Sequence, residues 1–486
     1  MKRIIAIVGC WLLLLSATLC CAQTYTVTDL GVPASTATLV FAGTSEGYAI
    51  NKSGMVTGYA TLSPPGWRGF IYSGGQTTDL QQDYVDPSGY GYWSNVYPNN
   101  GLGINDAGQV VGTAWYFYPF TYDGTFHVWG LKCTNGINNM VPVTVLDAHE
   151  AVAVDINNVG QVVGWSDFYG GATCNVDKGQ HASIWDTKTG KLTDLGTLRS
   201  TLPTPQSAAE AINDNGQVTG YSSVGSGGEH AFLYSHGKMI DIDLSPSSAD
   251  YISLGHAINS LGHVAGSFQS NSSCCLMHSF FYDGRTTRDL DKADLYGYTV
   301  AWGINSSDQI VGMFHEPNGP ARAILYKPSS GPGFTDLNTL IPSDSGWILQ
   351  DARAINDKGQ ITGVGEINGS SHAFLLTPVN PYAAFVQQPI NPDGSSVFSA
   401  KKGVVSIRFS LTEANAATCA LPPATISITR TAGGTLGTVV EGDFGIDSSK
   451  CRYYYNLNPS TVGAGTYRVD ISINGLVSGS AQFALK

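Results

Sequence analysis

The stretch "AINDNGQVTGYS" at residues 211–222 decides the fold of this chain, because close variants of it occur seven times. The others are "AINKSGMVTGYA" (49–60), "GINDAGQVVGTA" (103–114), "DINNVGQVVGWS" (155–166), "AINSLGHVAGSF" (257–268), "GINSSDQIVGMF" (303–314) and "AINDKGQITGVG" (354–365). We call this stretch the Asn-Gly phrase. Its isoleucine recurs about every 51 residues, a period typical of propeller blades of four strands each.

The phrase has the chemistry of a structural turn. Asn213 ends a strand and can hydrogen-bond its side chain back onto the turn, and Gly216 can take the positive φ of a tight hairpin. Ile212 faces the core. Where Asp308 replaces the turn glycine, the substitute still tolerates left-handed geometry. A calcium loop is the alternative, but the phrase lacks the dense carboxylates that such loops need.

Two further strands recur in each unit. A strand of the type His-Ala-Phe follows the phrase, and a strand ending in Asp-Leu follows that one. The first type is "HASIWD" (181–186), "HAFLYS" (230–235), "HSFFYD" (278–283), "RAILYK" (322–327) and "HAFLLT" (372–377); the second is "TTDL" (77–80), "LTDLG" (192–196), "TRDL" (287–290) and "FTDL" (334–337). Four strands per unit predict an all-β chain with a seven-bladed β-propeller.

The ordered motifs of residues 25–378 resemble the family of probable extracellular repeats named for His-Ala-Phe, the HAF repeat family. The resemblance implies an exported, propeller-like protein and no known activity. The second unit departs most, with "FHVWG" (126–130) in place of the His-Ala-Phe strand and "VTVLD" (143–147) in place of the Asp-Leu strand.

The start of the chain can close the ring. The seventh unit ends at "HAFLLTP" without an Asp-Leu strand, and "YTVTDLG" (25–31) supplies one. We therefore predict that residues 23–31 form the fourth strand of the seventh blade, which hides two sheet edges.

Residues 1–22 have the pattern of a cleaved signal peptide, with Lys2 and Arg3 before an apolar core and the small residue Ala22 at the cut. A lipoprotein signal using Cys20 or Cys21 is the alternative. The pattern predicts a secreted, cell-surface or periplasmic protein with no transmembrane segment in the mature chain. Cleavage changes the formal net charge from -12 to -14, and without clustered Lys and Arg we expect no nucleic-acid partner.

Six cysteines remain after cleavage, an even number in an oxidising compartment, which favours disulfides. Cys419 and Cys451 share the C-terminal region and are the expected pair. Cys133 and Cys174 lie in neighbouring repeats and are a second candidate pair, and the adjacent Cys274 and Cys275 a candidate vicinal disulfide. A metal site is the weaker alternative, because no CxxC spacing is present. We expect no cofactor and no bound metal.

Antiparallel strands place the seven Asn-Gly turns on one face and the long loops on the other. These loops comprise residues 81–100, 115–125, 167–180, 197–209 and 268–277. Function tends to lie on irregular loops, and aromatic side chains suit sugar rings and protein partners. The predicted ligand contacts are Tyr90, Tyr92, Trp93, Trp115, Tyr116 and Tyr118; a local loop core is the alternative use of the same side chains.

Catalytic signals are sparse, and we assign no catalytic residue. The pairs His149–Glu150 and His315–Glu316 have no third orienting group. The repeated histidines are expected to hydrogen-bond between blades; they are His181, His230, His278 and His372. A glycosidase would need two working carboxyl groups, and Asp83 and Asp86 are indistinguishable from solvated loop acids. The propeller arginines are scattered by blade, which disfavours a sialidase.

The repeat stops before residues 381–486. Apolar residues alternate along this region as they do in strands, for example at Val405, Ile407, Phe409 and Leu411. This pattern looks like a bacterial immunoglobulin-like β-sandwich. The sequence therefore predicts a signal peptide (1–22), a propeller (23–380) and a sandwich (381–486). The leading functional hypothesis is a non-enzymatic binding protein for a carbohydrate or protein ligand. A carbohydrate-active enzyme (glycoside hydrolase or lyase) and a purely structural envelope component are the alternatives.

Overall fold

The computed structural model describes residues 24–33, 43–62, 66–80, 102–114, 118–134, 137–142, 151–170, 176–198, 204–225, 228–244, 252–269, 277–291, 297–317, 319–328, 333–413, 416–473 and 476–486. These residues form strands almost throughout. The helical segments described are short: Leu337–Leu340, Ser448–Lys450 and α1 at Pro459–Val462. The prediction of an all-β chain is confirmed.

Residues 25–378 form seven antiparallel sheets, numbered here by chain order of their phrases. Sheet 1 has β2 (Ser45–Ile50), β3 (Val56–Leu62), β4 (Gly66–Ser73) and β5 (Gln76–Asp79). Sheet 2 has β6 (Leu102–Ile104), β7 (Val110–Ala114), β8 (Tyr118–Tyr122), β9 (Phe126–Thr134) and β10 (Ile137–Pro142). Sheet 3 has β11 (Ala151–Ile156), β12 (Gln161–Gly170), β13 (Val176–Asp186) and β14 (Leu192–Asp194).

The next sheets repeat the same four-strand order. Sheet 4 has β15 (Ser207–Ile212), β16 (Val218–Val224), β17 (Gly228–Ser235) and β18 (Lys238–Asp241). Sheet 5 has β19 (Ser253–Ile258), β20 (Val264–Gln269), β21 (Met277–Tyr282) and β22 (Thr287–Asp289). Sheet 6 has β23 (Tyr298–Ile304), β24 (Ile310–His315), β25 (Ala321–Tyr326) and β26 (Thr335–Asp336). Sheet 7 has β27 (Ile348–Ile355), β28 (Ile361–Ile367), β29 (Ser370–Pro378) and β1 (Tyr25–Gly31).

The first strand of the chain completes the last of these sheets. β1 pairs antiparallel with β29 from Tyr25 opposite Pro378 to Gly31 opposite Ala373. Tyr25 and Leu30 are buried by this pairing, at 1% and 3% exposure. The N-terminal and C-terminal ends of the repeat region are therefore joined through backbone hydrogen bonds and a shared core.

The phrase asparagines join the seven sheets into a closed circle. Within its own turn, the side-chain oxygen of Asn213 accepts from the backbone N–H groups of Asn215 and Gln217. Its side-chain nitrogen donates to the backbone carbonyl of Asn259 in the next sheet, 2.9 Å away. The same bond links Asn51 to Asn105, Asn105 to Asn157, Asn157 to Asn213, Asn259 to Asn305, Asn305 to Asn356 and Asn356 back to Asn51.

The turn geometry follows the sequence expectation. Gly216 has φ +72°, and Asp308 adopts the left-handed conformation with φ 56° where the sixth phrase lacks its glycine. Asp308 also accepts a hydrogen bond from the Asn259 side chain, at 2.8 Å. The structural interpretation of the phrase is thus supported, with a bond between sheets that the sequence alone did not predict.

Sheet 2 differs from the predicted arrangement. Its third strand is β8, which places Phe120 opposite Gly112 as β17 places Phe232 opposite Gly220. The stretch 126–130, predicted as the His-Ala-Phe strand, lies in the fourth strand β9, and β10 adds a fifth strand outside it. The stretch 143–147 lies outside the described residues. The error arose because the third strand carries a tyrosine and a proline, which disguise its repeat pattern.

Residues 382–485 form two further sheets over one core. One has the order β30 (Tyr382–Gln387), β32 (Val405–Glu413), β37 (Arg452–Leu457) and β36 (Gly445–Asp447), with β33 (Ala416–Thr418) beside β32. The other has β31 (Val397–Phe398), β39 (Leu476–Leu485), β38 (Gly465–Ile473), β34 (Ala424–Ala432) and β35 (Gly437–Asp443). Alternate residues of the long strands, such as Ile407, Phe409, Val469 and Phe483, are buried between the two sheets.

Cys419 and Cys451 form a disulfide with Cα atoms 4.9 Å apart, as predicted. Cys174, Cys274 and Cys275 lie outside the described residues. Cys133 lies in β9, and its side chain is likewise outside the description, so those two pairings stay predictions.

Removal of this disulfide should destabilise the C-terminal sheets. The bridge closes a loop of sequence separation 32, and a loop of this length corresponds to about 3.7 kcal/mol of stabilisation. We expect the variant Cys419→Ser with Cys451→Ser to show a lower melting temperature for this part of the chain by calorimetry. Reductant should lower the wild-type transition equally and leave the variant unchanged; a wild-type transition insensitive to reductant contradicts the prediction.

Candidate functional site

The first strand of each repeat sheet lines a central channel, and most of these strands carry a β-bulge at the same place. The pairing register shifts between Gly47 and Ala49 in sheet 1 and between Ala209 and Ala211 in sheet 4. The skipped residue is in each case the third before the phrase asparagine. Equivalent shifts occur in sheets 3, 5, 6 and 7. A bulge re-aims the side chain of its extra residue, and bulges are common beside functional sites.

The six bulge residues all line one cavity of about 560 Å³. We call them the bulge tier; they are Tyr48, Val154, Glu210, His256, Trp302 and Arg353. The volume is within the range of small-molecule sites. The scaffold positions on either side repeat closely, whereas the bulge tier presents a different side chain from every sheet. A repeated scaffold therefore carries one non-repeating set of chemical groups.

Four members of the bulge tier form a continuous row along neighbouring sheets. The His256 and Trp302 rings are 4.6 Å apart between centroids. The Arg353 guanidinium lies 4.5 Å from the Trp302 ring centroid and 5.2 Å from that of Tyr48. Tyr59 continues the row outward, with its ring 5.4 Å from Tyr48. This side of the channel is aromatic and cationic, and Val154 is on the other side.

Arg353 also pairs with a buried carboxylate. Its Nε lies 2.9 Å from Asp351 Oδ2, and Asp351 is only 4% exposed. Burial raises the pKa of Asp351 to about 6, although the Arg353 charge opposes this. The Trp302 indole lies close to this carboxyl group and opposes the rise in its pKa as a hydrogen-bond donor. The Asp351 carboxyl group is thus held between Arg353 and Trp302 beside the channel.

His256 is held as a neutral ring. Its Nε2 lies 2.9 Å from Ser267 Oγ on the neighbouring strand. Burial, and then the positive charge of Arg353, lowers its pKa to about 3. The imidazole therefore carries no charge at neutral pH and acts as a hydrogen-bonding and stacking group.

Two carboxyl groups approach the channel from sheets 3 and 4. Asp155 accepts hydrogen bonds from the backbone N–H of Ile156 at 2.8 Å and of Ile212 at 3.0 Å. Burial raises its pKa to about 6 despite these bonds. Glu210 is a bulge residue with no hydrogen-bond or ion-pair partner among the described residues, and burial raises its pKa to about 7.

The elevated pKa of Glu210 predicts that stability falls as the pH rises. A carboxyl group whose folded pKa lies above its ordinary value of 4.5 keeps its proton longer in the folded state. Its favourable contribution is present below about pH 4.5 and is lost between there and about pH 7. We expect Glu210→Gln to raise the free energy of unfolding at pH 8 by on the order of 1 kcal/mol, reduced from the full shift because the channel admits solvent.

The measurement is chemical denaturation of both proteins at pH 5 and pH 8. The stability difference between wild type and Glu210→Gln should be larger at pH 8. A difference that is equal at both pH values, or larger at pH 5, contradicts the prediction.

The channel continues into a funnel at the Asn-Gly face. A space of about 480 Å³ is bordered there by the isoleucine, the asparagine and the following residue of every phrase. Asp155 and Ile304 border both spaces, so the two are continuous. The charged residues bordering the funnel are Lys52, Asp106, Asp155, Asp214 and Asp357. This opening is therefore predominantly acidic.

The repeated histidines have a structural role within each sheet. His230 Nδ1 lies 2.9 Å from Asp241 Oδ2 on the adjacent strand of sheet 4. The pairs His181–Asp194, His278–Asp289 and His372–Asp29 repeat this contact, and Arg68–Asp79 and Arg322–Asp336 replace it with arginine. In each of these pairs the histidine and the aspartate belong to neighbouring strands of one sheet, whereas the sequence predicted bonds between blades.

One group on the described residues has the spacing of metal ligands. The ligand atoms of His278, Asp289 and Asp291 lie within 4.8 Å of one another. However, Thr299 already donates to the Asp291 carboxyl group at 2.7 Å, and His278 contacts Asp289 in the recurrent structural pair. The His278–Asp289 contact recurs in other sheets, and Thr299 satisfies the Asp291 carboxyl group, so these contacts are explained without an ion.

One of the six predicted aromatic contacts lies in a strand, and the other five lie outside the described residues. Tyr90, Tyr92, Trp93, Trp115 and Tyr116 lie outside the described residues. Tyr118 is a strand residue of β8, where it pairs with Ala114 at the position that His230 occupies in sheet 4. It is 6% exposed and packs in the core, rather than at the surface as predicted. The reason is that residues 118–122 form a strand and not a loop.

Among the weaker catalytic candidates, His315 lies in a strand and four others lie outside the described residues. His149, Glu150, Asp83 and Asp86 lie outside the described residues. His315 is in β24, where its ring stacks on Tyr298 with centroids 5.0 Å apart. This packing gives His315 a structural place in sheet 6.

The comparisons with known proteins leave the function open. The family described as "Protein of unknown function (DUF3466)" matches residues 72–245. No curated protein matches the sequence significantly. No helix in the described part of the chain has the length and apolar character needed to cross a bilayer.

Several solved structures are similar at low identity. A puromycin hydrolase shares 10% identity with a TM-score of 0.44, over 76% of this chain and 58% of the hydrolase. A gluconolactonase from Xanthomonas campestris shares 11% identity with a TM-score of 0.34, over 73% and 90% of the two chains. The fucose-recognising lectin of Aleuria aurantia shares 12% identity with a TM-score of 0.30, over 62% and 97%.

The chain spans less than two thirds of the length of the puromycin hydrolase that it matches. The three proteins differ in activity, and their TM-scores are all below 0.5.

Proposed function

We propose that this chain is an exported, non-enzymatic binding protein whose central channel takes a small polar ligand, with carbohydrates as the first class to test. The observation that carries the proposal is the bulge tier. Six chemically different side chains meet at one position of a repeated scaffold, around a cavity of about 560 Å³. Structural need alone would favour similar residues at equivalent positions.

The same proposal includes the architecture. We interpret the seven sheets as blades of a β-propeller of HAF type, spanning residues 23–380 after cleavage of a signal peptide at 1–22. The closed circle of asparagine bonds and the β1–β29 pairing support this interpretation. We interpret residues 381–486 as an immunoglobulin-like sandwich, which is supported by two sheets over one core and the Cys419–Cys451 bridge.

The chemistry of the channel favours binding over hydrolysis. A typical glycosidase needs two carboxyl groups that are free to act on the substrate. Both oxygens of Asp155 are engaged by backbone N–H groups, and Asp351 is paired with Arg353. Glu210 has neither a backbone N–H donor nor an ion-pair partner among the described residues. One unengaged acid, aromatic rings and an arginine are suited to holding a polar ligand.

A glycan array followed by calorimetry on the purified mature protein tests this proposal. We expect a saccharide to bind without being converted. The double variant Asp351→Asn with Arg353→Met, which removes the ion pair while keeping the local charge balanced, should weaken that binding at least tenfold. The control is Arg285→Met on an exposed turn, which should bind as wild type. Binding that is unaffected by the double variant contradicts the channel as the site.

A carbohydrate-active enzyme is the second candidate, and one observation favours it. A carboxyl group with a pKa of about 7, such as Glu210, has the protonation state required of a general acid at neutral pH. A panel of glycosidase and lyase substrates decides this point. Turnover that Glu210→Gln abolishes would establish the enzyme and refute the binding proposal. A purely architectural role predicts neither turnover nor binding.

A further inference from the structure

We propose that the channel recognises a ligand bearing an ammonium group, and that this group is seated against Glu210 of sheet 4. The inference rests on the proposed function, since it names the chemical class that the same channel would hold. Three features of the channel support it: the partners of its charged groups, the side chains around Glu210, and the charges across the channel and at the funnel.

Glu210 is the channel acid whose charge the protein does not offset. Asp155 has two backbone donors, at 2.8 and 3.0 Å, and Asp351 has Arg353 at 2.9 Å. No described residue forms an ion pair or a hydrogen bond with the Glu210 side chain. An ionised carboxylate that is partly buried, as Glu210 is, is costly unless it is paired, so a bound cation would be stabilised there.

The surroundings of Glu210 are aromatic. Tyr221 of sheet 4 and Trp165 of sheet 3 line the same cavity. Burial, followed by the negative charges of Glu210 and Glu229, raises the pKa of the Tyr221 hydroxyl to about 12, which places the two side chains within electrostatic reach. A carboxylate beside aromatic rings is a recurrent setting for ammonium groups, because the ring faces also attract positive charge.

The charges elsewhere orient such a ligand. Arg353 belongs to sheet 7, which is three sheets from the sheet of Glu210 in one direction and four in the other. No two sheets in a circle of seven are farther apart. An ammonium group would be repelled from Arg353 and attracted to Glu210. The neutral or anionic part of the same ligand would then face Arg353, which offers guanidinium donors beside the Trp302 ring.

The charges that border the funnel also favour a cationic ligand. Its charged residues are Asp106, Asp155, Asp214 and Asp357 against Lys52. The whole chain has a formal net charge of -12. An opening lined mainly by one sign of charge raises the local concentration of oppositely charged solutes. Small cations are therefore the solutes that this opening would attract.

The test uses two matched pairs of probes on the full mature chain. D-glucosamine is compared with N-acetyl-D-glucosamine, and putrescine with 1,4-butanediol, by isothermal calorimetry at pH 7.0 and low ionic strength. The member with the ammonium group should bind at least tenfold more tightly in one or both pairs. Glu210→Gln should weaken binding of that amine at least tenfold and change binding of the neutral partner less than twofold.

The matched control is Glu229→Gln. Glu229 is a second half-buried acid of sheet 4, and it lies outside the residues that line the channel. This variant should bind the amines as wild type does. Thermal melts of both variants check that each is folded.

The outcomes separate this inference from the proposed function. Equal binding of amine and neutral partner, or amine binding that survives Glu210→Gln, overturns the ammonium inference and leaves the channel as a binding site. Binding of none of the four probes also overturns it. The proposed function fails separately, if the glycan array finds no ligand or if the Asp351–Arg353 double variant binds like wild type.

Discussion

A chain that begins at Ser35 will melt about 10 °C below one that begins at Thr24. The shorter chain lacks β1, which buries Tyr25 and Leu30 and pairs along β29. Burying two large side chains contributes roughly 1.5 to 3 kcal/mol each, and the loss of the strand also exposes the β29 edge and the core under it. A total near 5 kcal/mol corresponds to a shift of about this size in a large domain.

Differential scanning calorimetry of the two purified chains measures the shift. The matched test adds a synthetic peptide of residues 24–33 to the shorter chain. It should restore part of the lost stability in a concentration-dependent way, because an extended peptide can add to an exposed sheet edge. Equal melting temperatures for the two chains would show that β1 does not close the ring.

Asn356→Asp should be among the most damaging single substitutions in the repeat region. Asn356 is buried, and its side-chain nitrogen donates to the Asn51 carbonyl at 3.0 Å and to Gln360 Oε1 at 2.9 Å. Aspartate keeps the shape but offers only acceptors when ionised, so it would face two acceptor oxygens. We expect a loss of about 4 kcal/mol, and about 2 to 3 kcal/mol for Asn356→Ala, which leaves buried groups unpaired.

Equilibrium denaturation of these variants gives the free energies. Lys358→Ala, an exposed change in the same turn, is the control and should lie within about 0.5 kcal/mol of wild type. Aspartate and alanine variants that are as stable as the Lys358→Ala control would contradict the role of this bond in joining the last sheet to the first.

The repeated scaffold could be predicted from the sequence because each of its features has a local physical cause. The phrase contains its own turn chemistry, as Asp308 shows by taking the left-handed conformation without a glycine. The pairing of residues 25–31 with the last repeat followed from a missing strand and is confirmed. The hydrogen bond from each asparagine to the next sheet was not predicted, because it depends on the distance between sheets.

Sheet 2 shows where a repeat pattern fails. Its third strand keeps the buried phenylalanine, Phe120, but Tyr118 stands at the histidine position. The aromatic residues around Tyr118 therefore led to the prediction of a loop at residues 115–125. The strand is identified by its pairing in the structure, which places Gly112 opposite Phe120.

The candidate site could not be predicted because it has no motif. The bulge tier is defined by an unpaired residue in the first strand of six sheets, and an alternating pattern cannot show such a bulge. One signal was present in the sequence: three residues before each phrase asparagine stand Tyr48, Leu102, Val154, Glu210, His256, Trp302 and Arg353. Variation at one position of an otherwise uniform repeat indicates a site, whereas the predicted ligand contacts lie on or near the long loops.

The most direct test of the account blocks the channel without removing any polar group. Val154 is the bulge-tier residue of sheet 3 and lines the cavity, so Val154→Trp would fill it, and Val154→Ala is the matched control that leaves it open. The measurement is the dissociation constant, by calorimetry, of a ligand identified on the glycan array or among the amine probes. The account predicts that Val154→Trp loses binding at least a hundredfold while Val154→Ala binds within about threefold of wild type, with both variants folded. Undiminished binding by a folded Val154→Trp protein would place the site outside the channel and contradict the central claim.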